Sequence, residues 1–260
     1  MQPGGGVARR IGVRWVLTVL VAVVAGCSAP EDVVWPTGPS DLVLRVVDAG
    51  GLVSPGWEFQ LPTLSLYGDG LLIISGKPVV HRRLTVEGVR RVVRAAINAG
   101  LTKEQDYGSP QILDAGASIF TLVTSKRFKT TIVAPSELRG DNPAQTEARR
   151  RVHTFRKALK DLDSWLGDDI GPVTSPEPSP LVVFSYKTSG GPGPVVEWPY
   201  DDLLTAGEEQ GVGRCQVLPA EKARALGQST LWRSGDNVFL LVMRALLPDE
   251  KSCADIKRSG

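Results

Sequence analysis

The sequence offers few side chains that could perform acid–base chemistry. Histidine is the commonest general base in enzymes, and the chain of 260 residues contains two, His81 and His153. His81 ends a predicted strand just before Arg82-Arg83, and His153 lies beside the apolar stripe of a predicted helix. Both positions are typical of packing or surface histidines. We therefore predict no catalytic histidine.

Carboxylates are the remaining candidates for catalysis or metal binding. Glu104 and Asp106 lie in a predicted loop, with no partner at a defined spacing. A group of aspartates near the end of a predicted helix lacks calcium-loop spacing, and it consists of Asp161, Asp163, Asp168 and Asp169. Phosphate-loop, Cys-x-x-Cys, His-Glu-x-x-His and Gly-x-Ser-x-Gly motifs are also absent from the sequence. We predict no metal and no cofactor and favour a non-enzyme, with an envelope hydrolase that uses carboxylates as an alternative.

One predicted helix carries a basic outer face that could contact an anionic surface. Anionic lipid headgroups or an acidic envelope polymer would suit such a face. An ordinary solvated face is the competing interpretation, because Asp161 and Asp163 neutralise part of the charge. The candidate contact residues are Arg149, Arg150, Arg156 and Lys157.

Composition limits the class of protein. The chain has 30 basic and 28 acidic residues and is 42% hydrophobic, which excludes a disordered chain and does not favour nucleic-acid binding. Residues 1–26 contain three arginines and no acidic residue, so the remainder has 27 basic and 28 acidic residues. The remainder is close to neutral, and we predict no nucleic-acid partner.

The first 26 residues have the three parts of an export signal. A basic start ends at Arg14, an apolar run of ten residues follows, and small residues precede Cys27. The run is shorter than the roughly 20 residues that cross a bilayer. The last residues, Val24, Ala25, Gly26 and Cys27, resemble the lipobox of bacterial lipoproteins.

The lipobox resemblance implies a location. In that family a diacylglyceryl group is attached to the cysteine sulfur and the chain is cut just before it, so Cys27 would be acylated. Two acyl chains anchor a protein firmly. The expected partner is membrane lipid, and the expected location is the outer face of the cell membrane. The alternative is an unlipidated signal peptide cut near Ala25.

Cys215 and Cys253 remain as an even pair. In an exported chain such a pair favours a disulfide. A zinc site is the weaker alternative, because the two cysteines are far apart in sequence and neither histidine lies beside them.

Hydrophobic patterning predicts an α+β fold, with an antiparallel sheet of hairpins packed by two amphipathic helices and a smaller disulfide-stapled C-terminal portion. The hairpins turn at Gly68-Asp69-Gly70 and at 125–127, one helix runs from a Thr85 cap to Gly100, and the other runs from Pro143 to Gly167. The predicted organisation is a signal peptide at 1–26, a lipidated tether at 27–40, an α+β domain at 41–167, a proline-rich linker at 168–180 and a C-terminal α+β subdomain at 181–260.

Two short motifs carry further resemblances. Leu42-Val-Leu-Arg45 with Leu66-Tyr67-Gly68-Asp69-Gly70 is similar to a bacterial domain family of unknown function, over about residues 41–166. Leu246-Leu247-Pro248-Asp249-Glu250, between Arg244 and Cys253, is similar to secreted actinobacterial lipoproteins. Neither resemblance implies a catalytic residue. We predict a membrane-anchored extracytoplasmic binding or interaction module, with the hydrolase and a basic-faced docking protein as alternatives.

Overall fold

The structure is a computed structural model that describes residues 1–2, 4–5, 33–49, 56–107, 116–133, 143–191, 193–227 and 229–259. The chain divides into two compact units, Met1–Asp32 and Val33–Gly260, and the fold of the second unit is described below. Apart from residues 1–2 and 4–5, the predicted signal peptide lies outside the described residues, and so do the lipobox and Cys27.

A seven-stranded sheet forms the first half of the second unit. Its strands are β1 (Leu42–Ala49), β2 (Leu64–Tyr67), β3 (Leu71–Ile74), β4 (Val80–Arg83), β5 (Gln105–Tyr107), β6 (Ala117–Val123) and β7 (Arg127–Val133). They lie in the order β4-β3-β2-β1-β6-β7-β5. All neighbours are antiparallel except β5, which runs parallel to β7. Both predicted hairpins are confirmed.

Three helices accompany this sheet. Helix α1 (Val86–Asn98) connects β4 to β5, and α2 (Pro143–Lys160) and α3 (Leu162–Leu166) follow β7. The Thr85 hydroxyl caps α1 by accepting from the Gly88 amide at 3.0 Å, as predicted. Gly100 ends this helix with a φ of 91°, which glycine adopts without strain. Apolar residues of all three helices pack with one face of the sheet into a single core, which includes Leu66, Val93, Phe120, Val152 and Leu162.

The second predicted helix is broken. The heptad-like apolar pattern predicts one helix to Gly167, but Asp161 has φ −129° and ψ 59°, outside the helical region. The chain therefore changes direction between α2 and α3. Leu162 and Leu166 are both buried in the same core, so the break preserves the apolar contacts that the pattern predicted.

The proline-rich segment after α3 is docked on the sheet over part of its length. Ile170 pairs with Leu84, and Thr174 pairs with His81. The Thr174 amide donates to the His81 carbonyl at 2.8 Å, and the His81 amide donates to the Thr174 carbonyl at 3.0 Å. This pairing covers the outer edge of β4.

The C-terminal portion is built on a six-stranded sheet. Its strands are β8 (Leu181–Thr188), β9 (Val195–Glu197), β10 (Glu208–Gln210), β11 (Gly213–Leu218), β12 (Leu231–Ser234) and β13 (Asn237–Ala245), in the order β10-β11-β8-β13-β12-β9. Only β9 and β12 are parallel within this sheet. Two short helices accompany it, α4 (Ala220–Arg224) and α5 (Cys253–Ser259).

The predicted disulfide is confirmed. Cys215 on β11 and Cys253 at the start of α5 are joined, with Cα atoms 6.0 Å apart. Both residues are buried beside Phe59 and Phe184. The bond therefore attaches the last helix to the second sheet inside a packed cluster.

Candidate functional site

A row of directly opposed residues crosses the first sheet on the face away from the helices. Arg45 on β1 lies opposite Thr121 on one side and Ser65 on the other. Ser65 lies opposite Ile73, and Ile73 lies opposite His81 on the edge strand β4. Because side chains alternate along a strand, opposed residues share a face. This mixed polar row faces the C-terminal portion.

Arg45 is the centre of that row. Its side chain has no solvent exposure. Its Nε donates to the Ser65 hydroxyl at 3.1 Å, and its Nη2 donates to the Tyr67 hydroxyl at 3.1 Å and to Asp249 Oδ1 at 2.7 Å. Burial alone would lower the pKa of Arg45, but Tyr67 and Asp249 together raise it above its ordinary value. Arg45 is therefore a permanent buried cation held by the C-terminal portion.

Tyr67 completes this contact. Its hydroxyl donates to Asp249 Oδ1 at 2.8 Å while it accepts from Arg45. Burial raises the pKa of Tyr67 far above its ordinary value, so the phenol keeps its proton. A neutral Tyr67 is what the arrangement needs, because a phenolate beside Asp249 would put two negative charges together.

Asp249 and Glu250 reach in different directions from one loop after β13. Asp249 binds Arg45 of the first sheet, whereas Glu250 binds Arg244 of the second sheet through two hydrogen bonds of 2.6 and 2.8 Å. The Arg244–Glu250 pair is buried, with side chains 4% and 0% exposed. We call the five residues Arg45, Tyr67, Arg244, Asp249 and Glu250 the clasp. It joins the two sheets through charge-assisted hydrogen bonds in a largely buried site.

A large cleft lies beside the clasp, between β3–β4 and the loop that carries Asp249. Its volume is about 760 Å³, within the range of about 300–1,000 Å³ that is typical of ligand pockets. We call it the junction cleft. Its lining consists of Leu61, Leu71, Ile73, Val79, His81, Arg83, residues 174–180, residues 245–248 and Glu250.

The polar groups of the junction cleft lie among apolar walls. His81 is half-buried, and burial lowers its pKa while Glu177 partly opposes that effect. Arg83 is paired with Asp69, with Nη1 2.8 Å from Oδ2. Glu250 is fully engaged by Arg244. The cleft can therefore offer a neutral imidazole and apolar walls to a ligand, while its buried carboxylate is already neutralised.

The structure separates the basic residues that the sequence placed on one helix face. Arg149 is 6% exposed, and its guanidinium donates to the backbone carbonyl of Tyr107. Arg149 is therefore a packing residue, and contact with an anionic surface is not open to it. The other three predicted contact residues are exposed or half-buried on α2 and keep that prediction: Arg150, Arg156 and Lys157.

The carboxylates considered for catalysis do not meet at the junction cleft. Glu104 and Asp106 are both exposed, and Asp106 lies on β5, the edge strand opposite to β4. Neither residue lines the cleft. Among the residues that the structure describes, no three histidine, cysteine or carboxylate side chains form a group that could hold a metal ion.

No protein-family model, curated protein or solved structure matches this chain. The resemblances drawn from the short motifs and from the lipobox therefore stay predictions. Within the described part of the chain, no helix has the length and apolar character needed to span a bilayer.

The clasp is the feature that sequence reasoning missed. Its members come from the two motifs that were noted separately, one around Arg45 and Tyr67 and the other around Asp249. A usable signal was present, because Arg45 is the single charge within the apolar run Leu42–Val47. A charge at the centre of a buried strand requires a partner of opposite sign.

Proposed function

We propose that the chain is a lipid-anchored extracytoplasmic protein that binds a small, mainly apolar ligand in the junction cleft without transforming it. The observation that carries this proposal is the cleft itself, a cavity of about 760 Å³ with apolar walls from both halves of the unit. A cavity of this size between two packed parts is the usual form of a ligand site.

The anchoring part of the proposal has two supports. The lipobox-like Val24-Ala25-Gly26-Cys27 ends a segment with the parts of an export signal. The Cys215–Cys253 disulfide fits an oxidising compartment outside the cytoplasm. Because both cysteines of the bond are buried, it suits a structural role better than a redox role.

The binding part is supported by the contacts that hold the walls of the cleft together. One wall belongs to the first sheet, and the opposite wall includes Leu247 and Pro248 beside the clasp. The buried Arg45–Asp249 pair fixes these walls relative to each other. A preformed cavity costs little to order when a ligand enters.

Anchoring is tested by metabolic labelling with an alkyne-bearing fatty acid. We expect the wild-type chain to become labelled in the membrane fraction and Cys27→Ala to remain unlabelled. Cys215→Ala is the matched control, because it also removes a cysteine but leaves the lipobox intact. Equal labelling of wild type and Cys27→Ala would contradict lipidation at Cys27.

Binding is tested by native mass spectrometry of the chain purified from its own membrane. Two neighbouring isoleucines on β3 provide matched variants, because Ile73 lines the junction cleft and Ile74 points to the opposite face. We expect Ile73→Trp to lose one mass that wild type carries, and Ile74→Trp to keep that mass. A wild-type chain without any bound mass, or an Ile73→Trp variant that keeps every mass bound by wild type, would contradict the proposal.

A further inference from the structure

A second cavity lies on the helix face of the first sheet, where α2 ends and α3 begins. Its volume is about 250 Å³. Ile74 of β3 belongs to its wall, so the sheet separates this cavity from the junction cleft. We call it the helix pocket, and its apolar lining is formed by Val46, Leu64, Ile74, Leu159 and Leu162.

The depth of each lining residue shows how the helix pocket is organised. Val46, Leu64 and Leu162 are 3%, 3% and 7% exposed, so they form the floor. Lys160 and Asp163 are exposed and lie at the mouth. An apolar floor beneath a charged mouth suits an amphiphile whose tail lies on the floor and whose headgroup lies at the mouth.

The mouth has an excess of positive charge. The charged side chains that line the pocket are three basic ones, Arg82, Arg156 and Lys160, and two carboxylates, Asp48 and Asp163. Among the described residues Lys160 has no ion-pair partner. A ligand headgroup at this position would therefore meet a net positive field, which favours an anion.

The existing ion pairs leave basic groups able to turn toward a ligand. Asp48 accepts hydrogen bonds from the hydroxyls of Ser118 and Thr63, so it keeps polar partners when Arg156 moves away. Arg156 Nη2 is 3.1 Å from Asp48 Oδ1, and its side chain is 19% exposed. A ligand anion in the mouth would compete with Asp48 for Arg156, and Asp48 would keep its two hydroxyl donors.

Arg82 is fixed more firmly and marks the other side of the mouth. Its Nε donates to the Gly171 carbonyl at 2.8 Å, and its two terminal nitrogens bind Asp163 at 2.9 and 2.6 Å. This pair lowers the pKa of Asp163, which is 74% exposed. Asp163 therefore occupies the bidentate face of Arg82, which leaves Arg156 and Lys160 to receive a headgroup.

We propose that the helix pocket binds a free single-chain anionic amphiphile, with part of its alkyl chain on the apolar floor and its carboxylate or phosphate head between Arg156 and Lys160. The pocket has about a third of the volume of the junction cleft, about 250 Å³ against about 760 Å³. This smaller volume favours one chain segment over the paired tails of a bilayer lipid.

The test uses photoactivatable probes and the mature chain in phosphatidylcholine nanodiscs. Four probes carry the same diazirine on the alkyl chain: decanoate, decyl phosphate, uncharged decanol, and phosphatidylglycerol built into the disc. Tandem mass spectrometry locates the crosslinks. We expect decanoate and decyl phosphate to label the segment around Leu159 and Leu162, and the other two probes to leave it unlabelled.

Variants check which groups bind the head and the tail. We expect Arg156→Gln with Lys160→Gln to reduce labelling about fivefold, and Ile74→Trp to abolish it. Lys157→Gln is the matched control, because Lys157 is exposed on the same helix and does not line the pocket. Ile73→Trp controls for a bulky residue on the other face of β3.

Labelling by decanol as strong as by decanoate would contradict the requirement for an anionic headgroup. Labelling by the phosphatidylglycerol of the disc would contradict a free single-chain ligand. Labelling unchanged in Ile74→Trp would overturn the site. Lys160→Gln alone keeps the test valid if another variant does not fold. The three free probes report on the helix pocket whether or not Cys27 is acylated, so these arms of the test are independent of the anchoring proposal.

Discussion

Asp249→Ala should destabilise the protein by leaving Arg45 buried without its counter-ion. The Arg45 side chain is 0% exposed, and its Nη1 is already buried without a hydrogen-bond partner among the described residues. Removal of Asp249 therefore leaves an uncompensated charge that water cannot reach easily. The same change also removes the acceptor of the Tyr67 hydroxyl.

The expected loss is about 3 kcal/mol, the lower end of the range for breaking a buried pair by removing one partner. The lower end applies because the Asp249 side chain is 16% exposed, so some water can enter where it was. With a urea m value of about 3 kcal/mol per molar, which suits a chain of this size, the unfolding midpoint should fall by about 1 M.

The assay is urea unfolding followed by tryptophan fluorescence, with Asp163→Ala as the matched control. Asp163 also pairs with an arginine, at 2.6 Å, but it is 74% exposed. Its removal should shift the midpoint far less, because water replaces the lost partner of Arg82. Both changes remove the carboxylate of an arginine–carboxylate pair, and the pairs differ in burial and in the Tyr67 hydrogen bond that only Asp249 accepts.

A double variant that removes both charges of the Arg45–Asp249 pair gives a second test. Arg45→Met with Asp249→Leu removes both charges and should recover most of the stability lost in Asp249→Ala, because no buried charge remains unpaired. If Asp249→Ala shifted the midpoint no more than Asp163→Ala, the clasp would not hold the two sheets together as described.

Three further outcomes follow from the structure. Replacing both Cys215 and Cys253 by serine should lower the free energy of unfolding by about 4 kcal/mol, because the bond closes a loop with a sequence separation of 38. Calorimetry with and without reductant checks this, and equal melting temperatures for the variant and wild type would contradict it. Because burial lowers the folded-state pKa of His81 below its ordinary value of about 6.5, the unfolded chain binds the proton more readily. The contribution of His81 to stability is then fully present above about pH 6.5 and is lost as the pH falls through the folded-state pKa. His81→Gln should therefore lose less stability than wild type between about pH 7.5 and about pH 5. Urea titrations of both proteins at these two pH values check this, and equal losses would contradict it. Gly88→Ala should destabilise by about 1 kcal/mol although alanine favours helices, because a Cβ at this position would lie 2.6 Å from the Asp169 carbonyl oxygen; a raised midpoint would show that the two segments can separate.

Local patterns predicted much of the first sheet and its helices. The hairpin at Gly68–Gly70 and the Thr85 cap were readable because turns and caps depend on neighbours in sequence. The α2–α3 break at Asp161 was not readable. A pattern of apolar spacings is preserved across a bend whenever both segments pack on the same core, as Leu159 and Leu162 do here.

Several elements of the C-terminal portion were not predicted. Strands β9 and β10 have three residues each, and a segment that short has no alternation to detect. Such strands exist because a longer neighbour supplies the hydrogen bonds, as β12 does for β9. The two cavities were equally invisible, since their walls come from segments far apart in the chain.

From the sequence alone came the Cys215–Cys253 pairing and a mixed fold with mainly antiparallel strands, both confirmed by the structure; the export signal and lipid attachment at Cys27 stay predictions. These features depend on residue type and short spacing. Only the tertiary structure decided that Arg45 meets Asp249, which lies 204 residues away, and that Ile73 and Ile74 line different cavities. The physical reason is that a buried charge must find its partner in space, and which segments become neighbours depends on how the two sheets pack.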